Sequence, residues 1–545
     1  MLFALVLVAA ACGGGSDDSS SDGGGGGSSE GTPVEGGTIT YGLEGKTTNF
    51  CIPRAQLAIS GIEVVEAVYD TLTRPTTTPD KYSPYLAKSV TPNDDYTEWT
   101  IVVRDGLTFH NGEPLNADAV KLNIDSWRGK GPVTSVLLLS FVYSNIADTA
   151  VTAPDTVVVK MTTPWVAFPA FLWTTGRTGI AAPEQLNSGT ECDTNMIGTG
   201  PFKLDSFNPA TGDVSVSKNT SYWRKDSEGR QLPYLQGIDF KPQEESSQRV
   251  NGLQGGQFDI SHFSGGKDLD EIENLGNGIQ AIVEPDGRME ISHALPNVAK
   301  PPFNNLDCRK ALVQGVDRIA LNQISNNGTY RLSDQVFDTK ITGYVDNPGF
   351  PAFDVDAAKD SISKCKAANG GVFEFDLQST FDQDTQALAA ETKRQLDALG
   401  VTVNLPSPVD QAQIISLAVA GNVDAFLWRN YPGQDPDTLY VWFYGGSIVN
   451  FNKINDETIN EALDEGRTNP DPDARKEAYE TFNKRMSSQA YNLWTWYTKW
   501  ALGAGPDIRG FVGPNLPNEA GEPGDEEAVD ILAGYHQLLG LWIEK

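Results

Sequence analysis

The sequence predicts an α/β protein of two lobes. Three observations predict it. The chain has 545 residues, which is room for roughly three or four units of about 150. Its first half mixes strand and helix patterns. From about residue 280 the two alternate, the signature of an α/β lobe.

The elements follow in order. Gly37 to Leu43 reads as a strand ending at a glycine. Glu98 to Arg104, after the turn signal Pro92-Asn93-Asp94-Asp95, reads as a second. Asn116 is placed to cap a helix whose apolar face is Val120, Ile124 and Trp127. Residues 155–161 are β-branched and strand-like. Asp307 opens a helix with Leu312, Val316, Ile319 and Ala320 on one face. A strand at 372–377 precedes a helix over 384–399, with Leu388, Thr392, Leu396 and Leu399 on one side and Gly400 at its end. Val401 to Leu405 is a strand, 410–420 a helix stopped by Gly421, and Val423 to Trp428 a strand. Asp471-Pro472 starts a helix that turns Ala478, Phe482 and Met486 inward. If 494–496 is a strand, Trp494 and Trp496 share a face.

Charge narrows the function. The formal net charge is −31. Nucleic-acid binding is excluded, because phosphate backbones reward clustered Lys and Arg, and so is broad docking on an anionic membrane. Residues 1–11 are all apolar and too few to span a bilayer, which takes about 20. They suit a signal-peptide core. Ala9-Ala10-Ala11 before Cys12 resembles a bacterial lipobox, which implies cleavage before Cys12 and a lipidated thiol. No basic segment precedes the apolar run, as expected if the recorded start lies inside a longer gene product. Residues 13–36 hold ten Gly, six Ser and five acidic residues, with Val34 the one hydrophobic side chain. They predict a disordered tether of about 25–30 Å root-mean-square reach. The folded body is then expected on the cell exterior, where disulfides form. Cys51, Cys192, Cys308 and Cys365 allow three pairings, among which spacing does not choose.

Several blocks carry a resemblance. Pro84-Tyr85-Leu86-Ala87 leads through Trp99-Thr100 to Val103-Arg104-Asp105-Gly106-Leu107-Thr108-Phe109-His110-Asn111-Gly112-Glu113-Pro114 and Ala117-Asp118-Ala119-Val120. Gly198-Thr199-Gly200-Pro201-Phe202 and Tyr222-Trp223-Arg224 follow. Then come Gly256-Gln257-Phe258-Asp259-Ile260, Arg309-Lys310-Ala311-Leu312, Leu399-Gly400-Val401 and Asp435-Pro436-Asp437. Over about residues 37–545 the chain resembles the family 5 solute-binding proteins of bacterial ABC importers, the oligopeptide, dipeptide and nickel type, here in an actinobacterial-like lipoprotein.

The resemblance implies a periplasmic-binding-protein-like fold of type II, of the large class with an extra subdomain in lobe I, and a hinge between the lobes. Lobe I would be 37–278 plus 505–545, with the subdomain at about 76–189. Lobe II would be 279–504. That division pairs Cys51 with Cys192 and Cys308 with Cys365. It implies a monomer without cofactor that captures a solute, peptide-like first, and delivers it to a permease served by separate ATPase subunits. Glu44, Phe50, Gln56 and Leu57 fall in loops that line the cleft in relatives.

The residues themselves add to this. Trp428-Arg429-Asn430-Tyr431 ends a strand at the lobe edge, where such folds place ligands. Arg429 suits a ligand carboxylate through its bidentate fork. Trp428, Tyr431, Trp442 and Trp496 are aromatic candidates for cleft walls, with core packing the competing role for Trp496. Peptide-binding relatives carry an Asp shortly after this Trp to hold an α-ammonium, and Pro432 stands there in this chain. Asp435 and Asp437 read as structural caps.

Enzymatic chemistry finds no support. Gly45-Lys46-Thr47 lacks the earlier Gly of a phosphate loop, Thr40 standing there. His110, His262, His293 and His536 are the four histidines, and none is spaced as a metal pair, so no metal site is expected. His110 reads as structural. Asn469 to Asp473 lacks the turn Gly of a calcium loop. The readings from other classes are a surface sensor or adhesin on the same fold and, behind it, a secreted hydrolase.

Overall fold

A computed structural model describes residues 31–55, 57–76, 81–134, 138–174, 176–431, 433, 435–511, 516–517, 523–524 and 534–545. Cys12, Gln56 and Pro432 lie outside these residues, as does most of the expected tether.

Two sheets organise the chain. The first has seven strands in the order Gln280–Val283, Ala501–Ala504, Ile260–Phe263, Thr38–Leu43, Gly237–Pro242, Asp213–Lys218 and Phe202–Asn208. Thr38–Leu43 runs parallel to both neighbours and buries Ile39, Tyr41 and Leu43 at alternate positions. The second has five strands: Thr402–Asn404, Glu374–Gln378, Ala425–Asn430, Glu290–Pro296 and Leu493–Thr498. Its first three are parallel, as strand–helix alternation requires, and the last two are antiparallel. An antiparallel sheet of Ala87–Pro92, Glu98–Val103, Thr156–Met161 and Ile146–Ala153 lies within the expected subdomain, packed by helix Ala117–Trp127.

The chain crosses from the first sheet to the second between Val283 and Glu290, and returns between Thr498 and Ala501. The crossings are bonded to each other: Glu284 N donates to the Trp500 carbonyl at 2.8 Å, and Trp500 N donates to the Glu284 carboxylate at 3.2 Å. The expected limits of lobe II move inward at both ends. Gln280–Val283 and Ala501–Ala504 belong to the first sheet, because Ala501–Ala504 fills the ladder between Gln280–Val283 and Ile260–Phe263. Beyond Ala504, Ile508–Arg509 pairs with Trp542–Ile543, and Ile508, Tyr535, Leu538 and Leu541 share a core cluster with Ile39 and Tyr41 of the first sheet.

Local signals explain many boundaries. Asn116 accepts from Ala119 N, and Asp471 accepts from Asp473 N and Ala474 N with Pro472 in the first turn. Asp410 forms a capping box with Gln413, and Gly421 closes that helix in the left-handed region at φ 73°. Cys51 is bonded to Cys192, and Cys308 to Cys365.

Three expectations are corrected. The helix expected from Asp307 is two helices, Leu306–Gly315 and Arg318–Asn326. Asn305 caps the first. Val316 is extended, and the Asp317 carboxylate caps Ile319 N and Ala320 N, which leaves Ile319 71% exposed. Trp494 and Trp496 do not share a face. Against Glu290–Pro296 the register runs His293 to Trp494 and Ser292 to Trp496, so Thr495 is a bulge. Its hydroxyl donates to the Ser292 carbonyl, and the alternation slips by one. The tether's end also packs on the body. Val34 lies against the cluster of Tyr222, Leu232, Tyr234 and Trp542, and Gly36 N donates to the Tyr234 carbonyl.

Candidate functional site

The crossings place several strand ends at one point between the lobes. Glu44 follows Thr38–Leu43, Ser264 follows Ile260–Phe263, Glu290 opens its strand, and Arg429 lies near the end of Ala425–Asn430. Arg429 spans the gap. Its Nη1 donates to Ser264 Oγ at 2.8 Å, its Nη2 lies 3.3 Å from Glu44 Oε1, and its Nε lies 3.7 Å from Glu290 Oε2. The guanidinium sits over the Trp500 ring, 5.2 Å from the centroid. Trp500 Nε1 donates to Glu290 at 3.1 Å.

Electrostatics tie these groups together. Burial raises the Glu290 pKa, Glu44 adds to the rise, and Arg429 opposes it. At Arg429 burial opposes the charge, and Glu290 and Glu44 more than offset it, so the guanidinium is held charged. Arg177 also acts on Glu290, lowering its pKa. Burial pulls Arg177 down to about 10, with Glu290 opposing, and its Nε donates to the Leu57 carbonyl at 3.2 Å. Two acidic and two basic groups therefore share one interlobe region.

The sequence candidates divide. Glu44 and Arg429 meet across the gap. Strand alternation turns Trp428 and Asn430 to the opposite sheet face from Arg429. Asn430 is buried and accepts from His293 Nε2 at 3.0 Å, while Trp428 packs edge-on against Phe426 and Phe451. Trp442 also packs on Phe451. Tyr431 is half-buried, and its hydroxyl has no hydrogen-bond partner among the described residues. Phe50 is fully buried edge-on to Phe207 in the first-lobe core, and Leu57 is buried with it, offering its carbonyl to Arg177. Trp496 is 5% exposed and belongs to the core. The sequence reading missed Glu290, Ser264 and Arg177. The signal for Glu290 was an acidic residue at the head of the otherwise apolar and neutral strand Glu290–Pro296.

A second contact joins the subdomain to the second lobe. Trp165 Nε1 donates to Asp437 Oδ2 at 2.7 Å, and Val166 N donates to the Arg467 carbonyl. Arg467 pairs with Asp437 at 2.9 Å and covers the rings of Tyr440 and Trp165. Asp435 accepts from Arg475 and caps Asp437 N. Both aspartates are thus engaged by protein groups.

Two lobes, two crossings and a shared charged gap define a two-lobed binding protein of the periplasmic type II fold. Residues 81–451 match Bacterial extracellular solute-binding proteins, family 5 Middle, and the chain belongs to that family. It is 29% identical over 318 residues to the Glutathione-binding protein GsiB of Escherichia coli O6:K15:H31 (strain 536 / UPEC), an alignment covering 58% of this chain and 59% of that protein. The chain thus spans about three fifths of the length of the curated relatives it matches. Its fold is similar to the PBP AgaA from A. tumefaciens R10 in complex with agropinic acid, with TM-score 0.79, 24% identity and coverage of 93% of this chain and 99% of that one. It is also similar to the oligopeptide-binding protein AppA of Bacillus subtilis in complex with a nonapeptide, with TM-score 0.78, 17% identity and coverage of 94% and 100%. Among the described residues no helix is long and apolar enough to cross a membrane.

Proposed function

We propose that this chain is the solute-capturing component of an ABC importer, closing its lobes over a small zwitterionic, peptide-like solute. It presents the closed form to a permease driven by separate ATPase subunits, and it performs no chemistry. The observation that carries the reading is the mixed set of charges in the interlobe region, Arg429 and Arg177 against Glu44 and Glu290.

The groups satisfy one another in this structure, and a solute with both an ammonium and carboxylates would satisfy them by exchange. Its carboxylate takes the Arg429 fork, and its ammonium takes the released Glu44. The Tyr431 hydroxyl offers a further hydrogen bond. Glutathione, which the curated relatives are named for, has this chemistry, as do other short peptides. A solute shifts the lobes toward closure only as far as it binds the closed form better. We further propose that a lipidated Cys12 anchors the chain, as a monomer, to the exterior face of the membrane.

Mass spectrometry of small molecules released from the natively purified protein, followed by calorimetry with reduced glutathione and a panel of di- and tripeptides, tests the reading. One-site binding accompanied by a smaller radius of gyration in solution scattering is expected. A panel without binding and a scattering profile that no compound changes would refute it. Fatty-acid labelling lost in Cys12→Ala tests the anchor.

A further inference from the structure

Two of the four histidines converge inside the first lobe. His262 comes from strand Ile260–Phe263, Glu63 from helix Ile59–Val68, and His536 from the C-terminal segment. One carboxylate oxygen and one nitrogen from each imidazole all lie within 4.8 Å of one another. All three side chains are fully buried. Glu63 Oε1 is 3.3 Å from His536 Nε2, and the Tyr41 hydroxyl is 2.8 Å from the same nitrogen. Aromatic rings enclose the group: Tyr41 is edge-on to His262 and stacked on His536, and Trp500 is edge-on to His262.

The hydrogen bonding of this cluster is incomplete. Both Glu63 oxygens, both His262 nitrogens and His536 Nδ1 lack a hydrogen-bond partner among the described residues. Backbone groups of Gly534, His536 and Gln537 approach His262, Glu63 and His536 respectively and act on their charge. Buried polar groups are nearly always bonded, and a carboxylate or imidazole buried unpaired is strongly disfavoured. Three such side chains aimed at one point call for a common partner.

We propose that Glu63, His262 and His536 bind one divalent transition-metal ion, zinc foremost, with the Tyr41 hydroxyl or a water as fourth ligand. Two imidazoles and one carboxylate are a zinc donor set, with bonds of about 2.0–2.2 Å. Tetrahedral bonds of that length put neighbouring ligand atoms about 3.3–3.6 Å apart, and the Glu63–His536 separation already has that value. No separation exceeds 4.8 Å, so any closing that coordination needs is within reach of small side-chain rotations. Sealed from solvent, the ion is structural. It ties the C-terminal segment to a helix and a central strand, so its binding energy becomes folding energy. Through Trp500, which packs on His262 and carries Arg429, it also braces one crossing.

The test uses the full chain, stripped of metal by unfolding with a chelator and refolded with zinc, with cobalt or with neither. One retained equivalent of zinc, a visible absorption band of tetrahedral cobalt, and a higher melting temperature with either metal than without are expected. Glu63→Gln, His262→Gln and His536→Gln should each lose the bound equivalent. A wild-type chain that refolds, retains neither metal and melts at the same temperature would overturn the site, whether or not the variants fold. Undiminished uptake by the three variants would place the metal elsewhere and overturn it equally.

Discussion

Replacing Trp165 with Phe isolates one contact between the lobes. The change deletes the indole N–H that donates to Asp437 at 2.7 Å and leaves Asp437 paired with Arg467, so no buried charge is orphaned. A hydrogen bond to a charged group is worth about 1.5–3 kcal/mol, and a smaller ring in a fully buried position adds to the loss. About 2–3 kcal/mol is therefore removed from the closed form, where the subdomain meets the second lobe. In an opened form water replaces the indole at Asp437, and little is lost. Apparent solute affinity then falls by about 30- to 150-fold. The assay is calorimetry with the solute identified by co-purification, alongside scattering of the unliganded chain, whose radius of gyration should rise. Trp127→Phe is the control. Trp127 is fully buried beside Tyr143, and its indole nitrogen has no hydrogen-bond partner among the described residues. It should lower the melting temperature and leave affinity unchanged. If Trp165→Phe matches that control in affinity and shape, the contact is not part of closure.

Arg429→Ala should weaken binding of carboxylate-bearing solutes by about 1–3 kcal/mol, or 5- to 150-fold, the range of a charge-assisted hydrogen bond discounted for partial exposure, with Arg429→Lys intermediate; calorimetry decides, and equal affinities remove Arg429 from the site. Removing the second disulfide by Cys308→Ser with Cys365→Ser frees a sequence separation of 57 residues and should lower unfolding stability by about 4 kcal/mol, read by guanidinium titration. His293 is pulled down to about 3 by burial. Because its folded value lies below its ordinary value of about 6.5, the unfolded chain binds the extra proton; the His293 contribution is complete above about pH 6.5 and is lost as pH falls toward 3. Stability should drop by up to about 1.4 kcal/mol per pH unit there, and a wild-type pH slope identical to that of His293→Gln would refute the assignment.

Much of the architecture was legible because it rests on local chemistry. The β-branched run at Thr156–Met161, the Asn116 cap, the Asp471-Pro472 start and the Gly421 stop act within a few residues of themselves. The break at Val316-Asp317 was hidden because apolar spacing continues through it, while a side-chain cap overrides the period. Nothing in Trp494-Thr495-Trp496 marks the bulge, which exists only in register with Ser292 and His293. At the candidate site Glu44 was legible through family resemblance, and Arg429 through its place near a strand end and its bidentate fork. Glu290, the second acid beside Arg429, was not, because its role depends on two strands meeting from distant parts of the chain. The Glu63–His262–His536 cluster has no sequence spacing to read, since three separate elements supply it.

The place of Ala501–Ala504 has a consequence for biogenesis. It is an interior strand of the seven-stranded sheet, paired on both sides. A nascent chain emerging from the ribosome cannot complete its N-terminal lobe until nearly all of the protein has been synthesised. Contacts this distant in sequence are slow to form. The polypeptide thus stays incompletely folded through most of its synthesis and locks only when that strand inserts.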